Sequence, residues 1–213
     1  MLKENGLLNL RISKKKFIYL ISPNNIYPQF YDDLKEVLKT GKVSFFQLRL
    51  KKYSFPQKIV IGKIIQKICK KNGVKFLVND DPILSKKLNA DGCHLGQKDM
   101  NIKKARKIIG NKIIGITCHN SLRLAKAAVK DKASYIAFGA FFSTTTKKVK
   151  FNATTNILNK VKKLTKTPIV AIGGINFDNY KKLLLNNANL LAISSYIWNN
   201  KKYKPLESVE KLK

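Results

Sequence analysis

SFFQL at residues 44–48, QKIVIGKIIQKICKK at 57–71 and FLV at 76–78 together decide the fold. The first and last strings are short β-branched or aromatic runs, the signature of buried strands. In the middle string Ile61, Ile64, Ile65 and Ile68 fall at i, i+3, i+4 and i+7, with Lys58, Lys63, Lys67, Lys70 and Lys71 on the other faces. That is the period of an amphipathic helix. A strand, a helix and a second strand in this order form a parallel unit, because parallel neighbours need a long crossover.

The same alternation runs outward in both directions. Candidate strands lie at 17–21, 44–48, 76–78, 92–95, 113–116, 135–138, 169–172 and 190–193, with further helical periods at 122–130 and 180–185. Eight strand–helix units at a spacing of about 25 residues, with no Pro/Gly/Ser-rich linker, predict a single-domain α/β (β/α)₈ barrel (TIM barrel) over residues 17–213. Residues 1–16 form an N-terminal extension. A doubly wound open sheet is the structural alternative. No G-x-G-x-x-G follows the first strand and no P-loop string occurs, which removes the main support for nucleotide-binding versions.

The chain has 213 residues, 44% of them apolar, enough for one well-filled core. Its formal net charge is +31, and lysine supplies all the basic residues but Arg11, Arg49, Arg106 and Arg123. The lysines recur through most helical segments, a pattern of solvated outer faces rather than a nucleic-acid footprint. Three scattered cysteines (Cys69, Cys93, Cys118) and two histidines (His94, His119) give no zinc spacing. No run approaches a membrane span, and the apolar run beginning at Phe17 is too short for a signal-peptide core. A soluble, cytoplasmic protein is expected. A homo-oligomer is left open.

In a parallel barrel, chemistry belongs at the C-terminal strand ends. Alternation turns Gln47, Arg49 and Lys51 toward the mouth. Asp80, Asp81 and Asp99 sit at two neighbouring strand ends in a chain with only 12 acidic residues. Oxygen ligands there suit Mg²⁺, which takes one or two carboxylates plus substrate phosphates; the alternative for Asp81, just before Pro82, is a helix N-cap. Asp91 reads as support for the turn into the fourth strand. A guanidinium at Arg49 matches phosphate oxygens bidentately, and Lys51 and Lys147 add point charge. Thr144, Thr145 and Thr146 could bind a phosphate, or form a plain polar loop. Gly173 and Gly174 could let backbone amides approach an anion. His94 and His119 read as satisfied core or turn histidines rather than catalytic ones.

Six strings occur in order at these strand ends: Gln47-Leu48-Arg49-x-Lys51, Val78-Asn79-Asp80, Ala90-Asp91-Gly92-x-His94-Leu95-Gly96-Gln97-x-Asp99, Gly115-Ile116-Thr117-x-His119-Asn120, Thr144-x-Thr146-Lys147 and Ala171-Ile172-Gly173-Gly174-Ile175. Together they resemble the thiamine phosphate synthase family over roughly residues 17–197. The resemblance implies coupling of 4-amino-5-hydroxymethyl-2-methylpyrimidine diphosphate to hydroxyethylthiazole phosphate, with Mg²⁺ required. It implies that Gln47, Leu48, Arg49, Leu50, Lys51, Asn79, Thr117 and Lys147 hold the pyrimidine diphosphate, with Arg49, Lys51 and Lys147 acting on the leaving group. Asp80 and Asp99 would bind Mg²⁺, and Thr144, Thr145, Thr146, Gly174, Ile193 and Ser194 the thiazole phosphate.

The chain departs from the family pattern at Leu50, Lys98, Ala140 and the run Asn187-Ala188-Asn189-Leu190. Asn187 is expected to replace a turn glycine through its tolerance of left-handed backbone, and Leu190 to open a buried strand. Two other readings stay open: a barrel related to the thiazole tautomerases or of regulatory function, without coupling activity, and a basic nucleic-acid-binding barrel.

Overall fold

The computed structural model describes residues 15–144 and 152–213. Eight parallel strands close into a barrel in sequence order: β1 (Ile18–Ile21), β2 (Val43–Leu48), β3 (Lys75–Asn79), β4 (Gly92–Leu95), β5 (Ile113–His119), β6 (Tyr135–Gly139), β7 (Ile169–Ile172) and β8 (Leu190–Ile193). The seam pairs Ile18 with Leu191, Tyr19 with Ala192 and Leu20 with Ile193. Closure removes the open-sheet alternative. Each expected strand is present, four of them longer by one to three residues. Of the expected extension, residues 1–14 lie outside the described residues.

Helices follow the strands: α1 (Phe30–Lys39), α2 (Phe55–Lys71), α3 (Pro82–Lys87), α4 (Ile102–Ile109), α5 (Leu122–Lys130), α6 (Thr155–Lys162), α7 (Tyr180–Leu185), α8 (Ser195–Trp198) and α9 (Pro205–Lys211). Helix α2 starts at Phe55, two residues before the string 57–71 read as helical. Ser54 caps it, receiving the Gln57 amide and giving its own amide to the Gln57 side chain, while Pro56 sits where no N–H is needed. Asn101 and Ser121 cap α4 and α5 more simply, each side-chain oxygen accepting one backbone amide, from Lys104 and Leu124.

Strand alternation divides the core into two layers. Tyr19, Ile21, Phe45, Leu77, Ile113, Tyr135, Ala137, Val170, Leu190 and Ala192 fill the barrel interior. Their neighbours Ile18, Leu20, Phe46, Leu48, Val78, Cys93, Ile114, Ile136, Ala171 and Ile193 lie in the layer under the helices. Leu190 is fully buried, as its place at the start of a buried strand requires. No helix of the described residues is long and apolar enough to cross a membrane.

Candidate active site

The C-terminal ends of β2, β3 and β4 bring four charged side chains to one side of the mouth. Arg49 follows β2; its amide donates to Ser22 Oγ and its guanidinium to Asn24 Oδ1 at 3.1 Å. Burial lowers the Arg49 pKa, and the nearby Asp80 charge opposes that shift. Lys51 Nζ lies 3.4 Å from Asp80 Oδ2.

Asp80 is held in left-handed backbone, φ 65°, with its amide donating to His94 O at 2.7 Å. This hook ties the end of β3 to β4. Asp99 closes its own turn: its Oδ2 accepts from the Gly96 amide at 2.7 Å and its amide donates to Gly96 O at 3.3 Å. Burial raises the Asp99 carboxyl above the usual carboxylate range, the Gly96 amide opposes it, and a side-chain hydrogen bond with Asp80 raises it further. Two neighbouring carboxyls repel when both are charged, which a proton or a cation between them relieves. Among the described residues no group of three His, Cys, Asp or Glu side chains could hold a metal. A pair of carboxylates fits a hard cation that takes its remaining oxygens from substrate and water.

Asp81 resolves to the N-cap alternative, its Oδ1 accepting from the Ile83 and Leu84 amides at 2.9 Å each. Asp91 supports the turn into β4, accepting from the Phe76 amide and pairing with Lys75. Neither carboxylate is free for the mouth.

Below the mouth, polar side chains cross the barrel interior in one connected chain. Gln47 Nε2 donates to Tyr19 Oη at 2.6 Å, and Tyr19 Oη lies 2.7 Å from Tyr135 Oη. Tyr135 Oη is 2.8 Å from His94 Nδ1, and His94 Nε2 is 2.8 Å from Thr117 Oγ1. Five strands contribute. His94 is thus a core histidine with both ring nitrogens engaged, as expected. The two tyrosines escaped the sequence reading. Their signal is a phenol at an inward strand position, since a buried Tyr hydroxyl needs a partner.

Other expected site residues separate by side-chain direction. Asn79 lies at the inward-facing end of β3, opposite His94. Leu48, Leu50 and Ile193 are corrections: all three are buried in the layer under the helices, with Leu48 against α2 at Gly62. Strand alternation turns their side chains away from the mouth, so only their backbone reaches it. Ser194 Oγ donates to Ser22 O at 3.2 Å, joining the ends of β8 and β1. Gly173 and Gly174 have a packing reason. A β-carbon at Gly173 would fall 2.3 Å from Ala140 Cβ, and one at Gly174 2.2 Å from Ser143 O, because the loop after β6 lies directly on them. Thr144 ends the described part of that loop; Thr145, Thr146 and Lys147 lie outside the described residues.

Asn187 adopts φ 72°, the left-handed turn expected before β8, and its Nδ2 donates to Asn159 Oδ1 at 2.7 Å. A separate cavity of about 410 Å³ between Tyr27, Trp198 and Tyr203 shares no residue with the charged cluster.

Comparison with known proteins agrees with this fold. Residues 18–197 match the family model described as thiamine monophosphate synthase. A thiamine-phosphate synthase of Pelagibacter ubique is 67% identical over 200 residues, covering 93% of this chain and 97% of that protein. One from Rhodospirillum centenum is 37% identical over 187 residues, covering 86% and 89%. Among solved structures, a thiamine phosphate pyrophosphorylase from Pyrococcus furiosus superposes with TM-score 0.82 at 29% identity, covering 93% of this chain and 94% of that one. A 3-hexulose-6-phosphate synthase of Salmonella typhimurium, at TM-score 0.69 and 15% identity over 92% and 96%, shares the fold alone. With the match running from β1 into α8, the chain belongs to the thiamine monophosphate synthase family.

Proposed function

We propose that the barrel carries out the reaction of its family, joining 4-amino-5-hydroxymethyl-2-methylpyrimidine diphosphate to hydroxyethylthiazole phosphate and releasing thiamine phosphate and diphosphate. The observation that carries this reading is the meeting of Arg49, Lys51, Asp80 and Asp99 at one side of the mouth. Basic groups beside paired carboxylates suit a diphosphate that departs together with a hard cation.

In this reading the pyrimidinylmethyl C–O bond breaks first, and its electron pair leaves with the diphosphate. The Arg49 fork and the Lys51 ammonium bind the departing oxygens, joined by Lys147. Asp80 and Asp99 would hold Mg²⁺, which when bound supplies further positive charge to the diphosphate. Gln47, Asn79 and Thr117 orient the pyrimidine ring. The thiazole nitrogen, positioned through its phosphate near Thr144, Gly174 and Ser194, uses its lone pair to form the new C–N bond. Bond formation needs no general base, consistent with His94 being fully engaged in the core.

Three free, buried thiols at Cys69, Cys93 and Cys118 support a reducing, cytoplasmic place of work. The test is a diphosphate-release assay. Release should require both substrates and Mg²⁺, and Arg49→Ala should lower kcat by about 10²–10³-fold. Release that ignores the thiazole phosphate, or none at all, would overturn the coupling reaction in favour of the tautomerase-like reading.

A further inference from the structure

The interior chain from Gln47 to Thr117 has a direction. Tyr19 Oη accepts from Gln47 Nε2, so its own proton has one remaining partner in the chain, Tyr135 Oη. The Tyr135 proton then goes to His94 Nδ1, which places the imidazole proton on Nε2 and makes Thr117 Oγ1 an acceptor. Thr117 is half-buried at the mouth, and its own O–H is left to donate outward. At the other end, Gln47 commits one of its two amide N–H groups to Tyr19, and this bond fixes which way round the amide lies and so where its carbonyl oxygen is presented to accept. Turning the Gln47 amide over would reverse every bond in the series, giving a donor at Gln47 and an acceptor at Thr117. With His94 neutral, the two ends therefore change polarity together.

Everything around the chain keeps it intact. Tyr19 and Tyr135 are 1% and 0% exposed, and burial raises both phenols well above their ordinary pKa, so they stay protonated. Their rings meet edge to face at 5.7 Å, and the His94 ring stacks on Tyr135 at 5.6 Å. Gly115 leaves the space that the Tyr135 ring fills.

We infer that Tyr19, Tyr135 and His94 are positioning residues that fix Gln47 as an acceptor and Thr117 as a donor, and so select an aminopyrimidine over its oxo counterpart. An exocyclic amine matches the Gln47 carbonyl, and a ring nitrogen matches the Thr117 hydroxyl. In an oxo ring the amine becomes an acceptor, which opposes the Gln47 carbonyl, and the neighbouring nitrogen a donor, which leaves the Thr117 O–H without its acceptor. Specificity of this kind is strong because the site's own polar groups are left unpaired by the wrong ring. The inference rests on the proposed reaction for the identity of the ligand.

The experiment uses Tyr19→Phe, Tyr135→Phe and the double variant. Calorimetric binding of the 4-amino pyrimidine diphosphate and of its 4-oxo analogue is measured beside KM for each substrate, with thermal melts to confirm folding. Each single variant should weaken binding of the amino compound about tenfold and shrink its preference over the oxo compound, the loss of one oriented hydrogen bond. KM for thiazole phosphate should stay within about twofold. The double variant should bind within about twofold of either single one, because a series is broken only once. Unchanged binding and preference in a folded variant would overturn the inference, as would equal losses for both substrates or independent, multiplying losses in the double variant.

If a Tyr→Phe variant does not fold, Thr117→Val at the half-buried end must show the same loss of preference. Wild-type protein that binds the amino compound without releasing diphosphate would overturn the coupling reaction, and binding alone would still decide the relay. Wild-type protein that binds neither pyrimidine would overturn both.

Discussion

Gly115 on β5 lies so close to the Tyr135 ring of β6 that a β-carbon there would fall 1.8 Å from Tyr135 Cζ. The missing side chain is what lets the phenol lie across the barrel axis. Gly115→Ala must move the ring or spread the two strands. Overpacking of this kind costs about 1–3 kcal/mol, and more where the backbone must shift. Denaturant unfolding should show that loss, and pyrimidine binding should weaken with it. A fully stable Gly115→Ala protein would mean that the barrel interior is looser than the structure shows.

Asp80 and Asp99 differ in what substitution does to the fold. Asp80 occupies left-handed backbone, which asparagine tolerates better than alanine, so Asp80→Asn is the cleaner probe. Asp80→Asn and Asp99→Asn should each raise the Mg²⁺ concentration for half-maximal turnover by about 10-fold or more. Thermal unfolding should stay near wild type. Unaltered Mg²⁺ dependence in both variants would remove the cation from this pair.

Asn187 tests whether the departures before β8 touch the second substrate. Its φ of 72° and its bond to Asn159 account for it as a turn residue. Asn187→Gly should remain within about 1 kcal/mol of wild type, while Asn187→Ala should lose about 1–2 kcal/mol to left-handed strain. Thiazole phosphate binding, followed by titration, should be unchanged in both. Weakened binding with normal stability would place this turn at the phosphate.

Alkaline pH should expose the buried phenols only by unfolding the protein. Burial raises the pKa of Tyr19 and Tyr135 above the unfolded value of about 10. The fold thus favours their protonated forms; this contribution is complete below the unfolded pKa and is lost as pH rises above it. Tyrosinate absorbance should rise in two stages, the exposed rings first and the buried pair together with the loss of helical circular dichroism. A single smooth titration with the fold retained would show that base reaches the barrel interior.

The strand–helix rhythm was legible because parallel strands buried on both faces leave unbroken apolar runs, and the lysine-coated helices between them keep a clear period. Capping resolved Asp81, which a sequence places equally well at a metal or at the start of α3. Leu48, Leu50 and Ile193 entered as part of contiguous motifs, although alternation already assigns their side chains to the other face. The packing on the glycine pair after β7 has no local signal in the sequence. What presses on it, residues 140–143, is some 30 positions away in the chain. The tyrosines were legible only as apolar mass. A hydroxyl's partner across the barrel, 116 residues away for Tyr19 and Tyr135, has no local signature.

The seam between β1 and β8 sets a timetable. The first strand made finds its second neighbour only when the last has been made, and Trp198 Nε1 closes onto Ile21 O across 177 residues of chain. During synthesis the early strands expose an unpaired, wholly apolar edge, the kind that invites other chains. Because contacts of such separation slow folding, the barrel should commit late and all together rather than strand by strand. A chain cut before β8 would therefore be expected to aggregate rather than to linger as a smaller barrel.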